Sequence, residues 1–345
     1  MNARVERLRA SLEEPLLVTN PTNVFYLSGF KSSNAALLVE PERVRLFTDF
    51  RYAEAARNVE GVEFEETRRA VLQDLSRRLS GRIGFESDFV SHAGFETLRA
   101  EGVDAVPRRD LVERLRAVKD EYELGLHRRA CEIADRVFEH LSGERFSGRT
   151  ERDVAWTIAR LFHEGGGHGL AFETVVASGP NAARPHGRAT DREIGRGETV
   201  VVDAGCSLDG YVSDYTRTFA TGPLDDELKE AYIVCLTAQR AGLEAIRAGV
   251  TGVDADAAAR RVVDESPFAG TFGHGLGHGL GLNVHEGPRL STESSDILVP
   301  GNVVTVEPGI YLPGRAGIRI EDDVVVTEDG IQNLTSVRND LISVD

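Results

Sequence analysis

The amino-acid sequence predicts a mixed α/β (α+β) protein made of two domains. With 345 residues, the chain is long for one hydrophobic core and fits two. Short apolar runs separated by turn-forming residues dominate the first part of the chain, and a long amphipathic segment follows near Lys119. The last third of the chain is again rich in strand-like runs. We therefore predict an N-terminal domain over residues 1–117 and a C-terminal domain over residues 118–345.

The N-terminal domain is predicted to be a small α/β module. Runs with the composition of strands are PLLVTN, NVFYLSGF, AALLVE and VRLFTDF. Helical spacing follows in RYAEAARNV and AVLQDLSRRL, and GRIGFES begins like a further strand. We predict that TNVFYLSGF forms a β-hairpin or a strand leading into a loop, with no part in chemistry. Because this domain holds no catalytic motif, a gating or assembly role and a passive stabilising role both stay open.

The C-terminal domain is predicted to begin with two helices. The first covers LRAVKDEYELGLHRRACEIADRVFEHL, whose apolar residues fall on one face. The second covers TERDVAWTIARLFHEGG, where Thr150 and Asp153 have the spacing of a capping box and Gly165 to Gly167 end the helix. Two more helices are predicted in ELKEAYIVCLTAQRAGLEAI and VDADAAARRVVDES, and strand-like runs follow each pair of helices.

Composition and charge exclude several classes of protein. Hydrophobic residues make up 41% and charged residues 28% of the chain, and no apolar run approaches the roughly 18 residues that span a membrane. A formal net charge of −16 argues against binding to nucleic acid, which requires a basic face. The three cysteines form no CxxC pair, and MNARVERLRASLEEP has charges but no apolar stretch followed by a small-residue cleavage site, so we expect no export. We expect a cytoplasmic protein that binds neither nucleic acid nor membrane.

Five potential metal ligands occur in order along the C-terminal domain. They are Asp203 in VVDAG, Asp214 in SDYTRT, His278 in GHGLGHGLGLNVHE, Glu307 in TVEPGIY and Glu321 in RIEDDVVV. This mostly oxygen-donor set suits divalent ions of the Mn, Co or Zn kind better than one structural Zn ion, which prefers Cys and His. Two adjacent metals activate water for hydrolysis. The sequence therefore predicts a metallopeptidase with two divalent metal ions per chain.

The two aspartates are predicted to lie on neighbouring strands. VVVDAG has the pattern of a buried strand ending in Asp203, and YVSDYTRTFA alternates so that Asp214, Thr216 and Thr218 share one face. A hairpin of these strands would bring both aspartates to one site, where Thr216 would orient a carboxylate. The alternative is that Asp203 caps a turn and that Asp214 is a solvated loop residue.

The two glutamates each follow an apolar run, so each is predicted to lie on a buried strand. A carboxylate there is costly without a cation, which a metal would supply. Asp322 and Asp323 are alternative ligands by position, and we rank them as surface residues or as residues that support a ligand. Arg319 would share a strand face with Glu321.

The order and surroundings of the five ligands resemble metallopeptidase family M24, the pita-bread metallopeptidases. Within that family the chain is most similar to the proline-specific branch of aminopeptidase P and prolidase, and TNVFYLSGF resembles a signature of its creatinase-like N-terminal domain. The resemblance implies a creatinase-like α/β domain followed by a pita-bread catalytic domain. It also implies that Asp214 and Glu321 bridge two metals and that Asp203 and His278 are further ligands. Glu307 would bind one metal and pass on the proton of the attacking water.

The same resemblance assigns roles to residues around the metals. His285 matches the catalytic histidine, and His274 matches a histidine that lines the pocket without binding metal. His186, in SGPNAARPHGRAT, matches a substrate-side histidine, and the alternative is an ordinary loop histidine. Arg319 matches an arginine that supports the site. Phe172 would line the pocket, although a core phenylalanine fits the sequence equally well.

The function implied is hydrolysis of the bond between an N-terminal residue and a following proline in short peptides. A metal pair can polarise the carbonyl of that tertiary amide while His285 stabilises the intermediate. We slightly favour aminopeptidase P. The alternative is prolidase, which acts on dipeptides and needs a cation for the substrate's carboxylate, for which Arg289 is the candidate. The resemblance also implies a homodimer in which the N-terminal domain limits the length of peptide admitted.

Three other classes of protein share features of this sequence. Creatinase has the same fold but lacks the metal ligands, and methionine aminopeptidase has the ligands but lacks an N-terminal domain of this size. A non-enzymatic binding protein built on the fold usually loses ligands. All five ligand types are present here beside the N-terminal domain, so we expect an enzyme of the proline-specific branch.

Overall fold

The computed structural model describes residues 3–345, which form two compact units. One unit ends at Arg116, and the other runs Ala117–Asp345. Both units mix helices and strands, which confirms the predicted α/β (α+β) class. No helix in the described part of the chain is long and apolar enough to cross a membrane.

A six-stranded sheet and its flanking helices form the N-terminal unit. Its elements are α1 (Ala3–Arg9), β1 (Leu16–Val18), α2 (Pro21–Ser28), β2 (Ala35–Val39), β3 (Val44–Asp49), α3 (Ala53–Ala56), β4 (Glu63–Thr67), α4 (Val71–Ser76), β5 (Arg82–Glu86), α5 (His92–Ala100), β6 (Asp104–Arg108) and α6 (Leu111–Ala117). The strands lie in the order β4-β3-β2-β1-β5-β6. The pairs β1–β2 and β2–β3 are antiparallel, and the other three pairs are parallel.

The predicted hairpin in TNVFYLSGF is wrong, because this segment forms helix α2. The side chain of Asn20 caps the helix by accepting a hydrogen bond from the backbone N–H of Thr22, and Pro21 occupies the first turn. Gly29 ends the helix with φ 71°, in the left-handed region. These start and stop signals outweigh the strand preference of the aromatic residues between them. The helix predicted in RYAEAARNV is only the short α3.

Four long helices and several small sheets form the C-terminal unit. Its elements are α7 (Glu121–Leu141), α8 (Glu151–Glu164), β7 (Gly169–Leu170), β8 (Val175–Ser178), a 3₁₀ turn (Gly179–Asn181), β9 (Thr199–Ala204), β10 (Cys206–Leu208), β11 (Tyr211–Val212), β12 (Tyr215–Ala220), α9 (Asp226–Ala245), α10 (Gly252–Asp264), β13 (Gly277–Gly279), β14 (Glu286–Leu290), β15 (Val303–Val306), β16 (Gly309–Leu312), β17 (Ala316–Arg319), β18 (Asp322–Val326), β19 (Ile331–Asn333) and β20 (Ile342–Ser343). The predicted capping box of Thr150 and Asp153 opens α8.

The C-terminal unit has two main apolar cores, each shared by a pair of helices and a sheet. Helices α7 and α8 share one core with the sheet β20-β12-β9-β8, and Phe138 and Phe219 are fully buried in it. Helices α9 and α10 share the other with the sheet β14-β13-β15-β18-β19. An isolated bridge between Thr216 of β12 and Glu321, which lies between β17 and β18, joins the two halves. The metal-ligand candidates lie where these halves meet.

Candidate active site

A cavity of about 560 Å³ collects nearly all the residues singled out in the sequence. All five ligand candidates line it, which excludes the alternative that Asp214 is a solvated loop residue. The cavity is also lined by His186, His274, His285, Arg319 and Phe172. Arg289 is not among the lining residues; it is exposed on β14, opposite His278 in the strand register.

The hairpin of β9 and β12 carries the two aspartates. Asp203 lies opposite Thr216 in the antiparallel register, and Asp214 directly precedes β12. The backbone N–H of Asp214 donates to Oδ2 of Asp323 across 3.0 Å. In Asp203, Oδ2 accepts a hydrogen bond from Nη2 of Arg319 at 2.7 Å, whereas Oδ1 is buried without a hydrogen-bond partner. A buried acceptor without a partner fits a site that a cation would complete.

Three side chains form a compact cluster of metal-ligand type in the cavity. One ligand atom from each of Asp214, His278 and Glu321 lies within 4.8 Å of the others. Nε2 of His278 lies 3.7 Å from Oδ2 of Asp214 and 3.4 Å from Oε1 of Glu307. Nδ1 of His278 faces the carbonyl oxygen of Gly279 at 3.1 Å and must donate to it. Nε2 therefore keeps its lone pair for a metal.

Burial and mutual repulsion make the free carboxylates of this cluster unstable as anions. Burial and then the charge of Glu321 raise the pKa of Asp214 well above its usual value, and the pKa of Glu321 rises through burial and Glu307. Burial raises the pKa of Glu307 to about 8 and also raises that of Asp203. Burial lowers the pKa of His278 to about 4, so its ring is neutral. Four carboxylates and a neutral imidazole fit divalent metal ions, whose charge would offset the repulsion.

A chain of hydrogen bonds runs from the cluster through Tyr311, which the sequence analysis did not single out. Nη1 of Arg319 donates to the Tyr311 hydroxyl at 2.9 Å, and that hydroxyl lies 2.9 Å from Nε2 of His274. Nδ1 of His274 donates to the carbonyl oxygen of Gly275 at 2.8 Å. Burial lowers the pKa of His274 to about 4, so the neutral ring accepts from Tyr311. Both ring nitrogens are engaged, so His274 lines the cavity and would have to give up one of these hydrogen bonds to bind a substrate.

Asp322 and Asp323 are buried, so the prediction that they could be surface residues is wrong. They are 1% and 0% exposed. Asp322 pairs with Nη2 of Arg217 at 2.7 Å, a contact that joins β18 to β12. Asp323 accepts the hydrogen bond from the backbone of Asp214, so it supports a candidate ligand. The burial of Asp322 is not apparent from the sequence, because its partner Arg217 lies 105 residues before it.

His285, His186 and Phe172 line the cavity beside the metal-ligand candidates. The ring of His285 stands 4.4 Å from that of His278, centroid to centroid. Burial and then the charge of His186 lower the pKa of His285. His186 is exposed, and Phe172 is partly buried, so neither is a core residue. The charge of Arg289 also lowers the pKa of His285, although less than burial does.

Glu173 and Arg188 also line the cavity, and the sequence analysis missed them. Oε2 of Glu173 lies 3.3 Å from Nε of Arg188, and both side chains are largely exposed. Two arginines, Arg188 and Arg319, line the cavity. Arg319 already donates hydrogen bonds to Asp203, Thr216 and Tyr311. Arg188 therefore offers the more available positive charge. Its position two residues after His186 was the signal that could have identified it.

Two family matches cover almost the whole chain. Residues 125–328 match metallopeptidase family M24, and residues 4–118 match the creatinase/prolidase N-terminal domain. An Xaa-Pro dipeptidase of Pyrococcus horikoshii is 34% identical over 352 residues, which cover 99% of each chain. The solved structure of an Xaa-Pro dipeptidase from Bacillus anthracis has a TM-score of 0.94 and 36% identity, covering 98% of each chain. That of an X-Pro aminopeptidase from Thermotoga maritima has a TM-score of 0.89 and 35% identity, covering 99% of each.

The family match, the similar structures and the clustered carboxylates all agree with the resemblance inferred from the sequence. They confirm a metal-dependent peptidase with a creatinase-type N-terminal domain and a pita-bread catalytic domain. The chain belongs to metallopeptidase family M24.

Proposed function

We propose that this enzyme hydrolyses the peptide bond between an N-terminal residue and a following proline, and that Xaa-Pro dipeptides are its substrates. The single observation that carries the chemistry is the cavity in which four carboxylates and a neutral histidine converge. The substrate class is supported by similarity over almost the full chain to a protein named Xaa-Pro dipeptidase. The slight preference for aminopeptidase P is not confirmed, since solved structures named as dipeptidase and as aminopeptidase match at nearly equal identity.

We assign the metal ligands to Asp203, Asp214, His278, Glu307 and Glu321. Asp214, His278 and Glu321 form the cluster within 4.8 Å, so these three side chains would hold a metal ion together. Two divalent ions of the Mn, Co or Zn kind, when bound, would activate water for attack and polarise the scissile carbonyl. The oxygen-rich donor set favours these ions over a single structural Zn ion.

Glu307 and His285 are the residues we assign to proton transfer. Burial raises the pKa of Glu307 to about 8 without metal; with metal bound its carboxylate would be deprotonated and could accept the proton of the attacking water and pass it on. His285 is exposed beside the cluster, where it can stabilise the tetrahedral intermediate and relay the proton from Glu307 to the ring nitrogen of proline. Contributions of this kind are on the order of 10²–10³-fold in rate. His186 lines the cavity and would position the peptide.

The choice between dipeptides and longer peptides depends on recognition of the substrate's C-terminal carboxylate. Arg188 lines the cavity and Arg289 lies beside it, so each offers a guanidinium for that carboxylate. In the free enzyme Glu173 pairs with Arg188, and a bound carboxylate would replace it. This pair of arginines supports the dipeptidase assignment.

The test is a comparison of peptides that differ in one feature each. Purified enzyme loaded with Mn²⁺ would be given Ala-Pro, Ala-Pro-Ala and Ala-Ala at equal concentration, with and without a chelator. We expect metal-dependent hydrolysis of Ala-Pro well above that of the other two. Preferred hydrolysis of Ala-Pro-Ala would return the assignment to aminopeptidase P. Failure of the metal-loaded enzyme to cleave either proline peptide would refute the proposed function.

We further propose a homodimer in which the N-terminal domain, residues 1–117, limits peptide length. The support is the match of residues 4–118 to a domain shared with prolidases, in a unit that holds no catalytic residue of the assigned set. Light scattering at assay concentration tests the dimer. A monomer that still discriminates by peptide length would contradict this proposal.

We infer residence in the cytoplasm from the cysteines. Cys131, Cys206 and Cys235 are all buried as free thiols, as expected in a reducing compartment. Cell fractionation with detection of the chain in the soluble cytoplasmic fraction tests this inference.

A further inference from the structure

The segment 280–285, called here the histidine loop, joins β13 to β14 and ends in His285. Its first part is fixed by backbone hydrogen bonds, from Leu280 N to Val303 O at 2.9 Å and from Val212 N to Gly281 O at 3.1 Å. His285 lies at the far end of the loop and is exposed. The position of its ring therefore depends on what holds the rest of the loop.

Glu286 directly follows His285, and its side chain folds back beneath the histidine loop. Its Oε1 accepts a hydrogen bond from the backbone N–H of Asn283 at 2.8 Å. The carboxylate lies so close to Gly281 that a β-carbon there would stand 2.6 Å from Oε2 and would have to displace the Glu286 side chain. Only 7% of the side chain is exposed. Glu286, which follows the end of the loop, thus fixes the backbone at Asn283 in the middle of the loop.

Lys119 brings a buried positive charge to this carboxylate. Its Nζ lies 3.9 Å from Oε2 of Glu286, and its side chain is 1% exposed. The residue directly precedes Asp120, the N-cap of α7, and its backbone N–H donates to Gly301 O at 2.9 Å. A buried ammonium group is costly without an anion nearby. The pairing therefore fixes both partners, and with them the distance between the start of α7 and the loop.

Apolar contacts hold the same two elements together. Leu124 of α7 shares a small core with Val212 and Leu280, and the partly buried Val284 packs against it. Leu280 and Val284 thus pack the histidine loop against α7, and Glu286 accepts a hydrogen bond from the loop backbone. Apolar contacts are not directional and do not select one loop conformation. The ion pair of Lys119 with Glu286 and the hydrogen bond from the backbone N–H of Asn283 specify one conformation.

We propose that Lys119 is a positioning residue for His285. Acting through Glu286, it holds the histidine loop in the conformation that presents the imidazole to the cavity. This inference rests on the proposed function, in which His285 acts on the substrate. Its consequence is that loss of the pair slows turnover while the metals and the substrate still bind.

The first test removes both charges together, because a single substitution would leave one charge buried and could prevent folding. In the double variant Lys119→Met/Glu286→Gln, we expect kcat to fall roughly 10- to 100-fold, as misplacement of a catalytic group does. KM should stay within about twofold of wild type, because binding is not altered. The bound metal per chain should equal that of wild type. A wild-type kcat, or loss of metal, would overturn the inference.

Two matched variants complete this test. Lys229→Met/Asp226→Asn removes an exposed ion pair of the same kind and should leave kcat unchanged. Lys119→Arg keeps the positive charge and should retain a kcat much closer to wild type than Lys119→Met/Glu286→Gln does. If Lys119→Arg were as slow as the double variant, the charge would not be what positions the loop.

Amide hydrogen exchange on the full chain supplies a readout that needs no activity. In the double variant the peptide covering 280–290 should exchange faster, while the peptide covering 199–220 keeps the wild-type rate. Unchanged exchange over 280–290, or faster exchange throughout the C-terminal domain, would refute a local positioning role. If wild type cleaved no proline peptide, the proposed function would fail, and this measurement would still test the loop.

Discussion

The hydroxyl group of Thr216 donates a hydrogen bond to Oε2 of Glu321 across 2.6 Å. The same hydroxyl oxygen accepts from Nε of Arg319 at 3.0 Å, so it links a cation to a carboxylate of the cavity. Thr216 also faces Asp203 in the strand register. One small side chain on β12 therefore sets the direction of Glu321 and contacts the arginine that holds Asp203.

We expect Thr216→Val to weaken metal binding by about 10- to 100-fold, as loss of a partner that orients a ligand does. Valine keeps the shape of the side chain but removes the donor to Glu321. Metal affinity would be measured by titrating the metal-free chain with Mn²⁺. Thr216→Ser, which keeps the hydroxyl group, is the control and should bind like wild type. Equal affinity in all three chains would show that Thr216 does not orient Glu321.

His278 and His285 should show opposite patterns when replaced by alanine. His278→Ala should lose bound metal, because its Nε2 faces Asp214 and Glu307 with a free lone pair. His285→Ala should keep its metal and lose roughly 10²–10³-fold in kcat. Metal content by mass spectrometry and steady-state kinetics would be measured on the same samples. Metal loss in His285→Ala would reassign that residue as a ligand.

The stabilising effect of metal should grow as the pH rises. Without metal, burial raises the pKa of Glu307 to about 8, and the pKa of Asp214 and Glu321 also rises. A raised folded-state pKa stabilises the fold below the ordinary carboxyl value, and this stability is lost as the pH rises through the raised value. Metal ions replace the protons, so the gain in Tm on adding Mn²⁺ should be larger at pH 8 than at pH 6. An equal gain at both values would contradict this account.

Asp214→Asn tests separately how much the buried charge of Asp214 destabilises the metal-free chain and how much bound metal stabilises it. Because Asp214 is buried beside Glu321, removing its charge should raise the Tm of the metal-free chain at pH 8. The same substitution should reduce the gain in Tm on adding Mn²⁺. Both values come from thermal unfolding followed by circular dichroism, with and without a chelator. A lower Tm of the metal-free variant would show that repulsion at Asp214 is not the dominant cost.

Recognition of the substrate's carboxylate is tested with a substrate in which that carboxylate is replaced by an amide. Arg188→Gln and Arg289→Gln would each be assayed on Ala-Pro and on Ala-Pro amide, which lacks the carboxylate. The arginine that binds the carboxylate should, when replaced, lose about tenfold or more in kcat/KM on Ala-Pro and little on the amide. Arg188 lines the cavity and Arg289 does not, so we expect the larger loss in Arg188→Gln. A larger loss in Arg289→Gln would restore the sequence-based candidate.

Local sequence was sufficient to predict the hairpin that carries the two aspartates, but Glu307 and Glu321, which were predicted to lie on buried strands, lie just after β15 and between β17 and β18. Asp203 lies near the end of the buried strand β9, and Asp214 leads into its antiparallel partner β12, as alternation of apolar residues indicated. The two helix pairs and the mixed fold class followed from helical spacing. These features are encoded within about ten residues of each element, where periodicity can be read directly.

Contacts between distant parts of the chain were not predictable in this way. Arg319 reaches Asp203 across 116 residues, and the pairing of Arg217 with Asp322 is why an acidic run next to Glu321 is buried. The error at α2 is different, because the signals that decide the helix are local: Asn20 caps it, Pro21 opens its first turn and Gly29 ends it. The link from His274 through Tyr311 to Arg319 depends on side-chain geometry that no spacing rule contains.

Amine-reactive reagents should distinguish the three lysines of this chain. Lys31 and Lys229 are exposed, whereas the side chain of Lys119 is 1% exposed. Acylating reagents will reach the first two in the folded enzyme and Lys119 only when the C-terminal domain opens. The enzyme can therefore be attached to a support through Lys31 or Lys229 without touching the loop that carries His285. Label found on Lys119 would count the molecules that have unfolded.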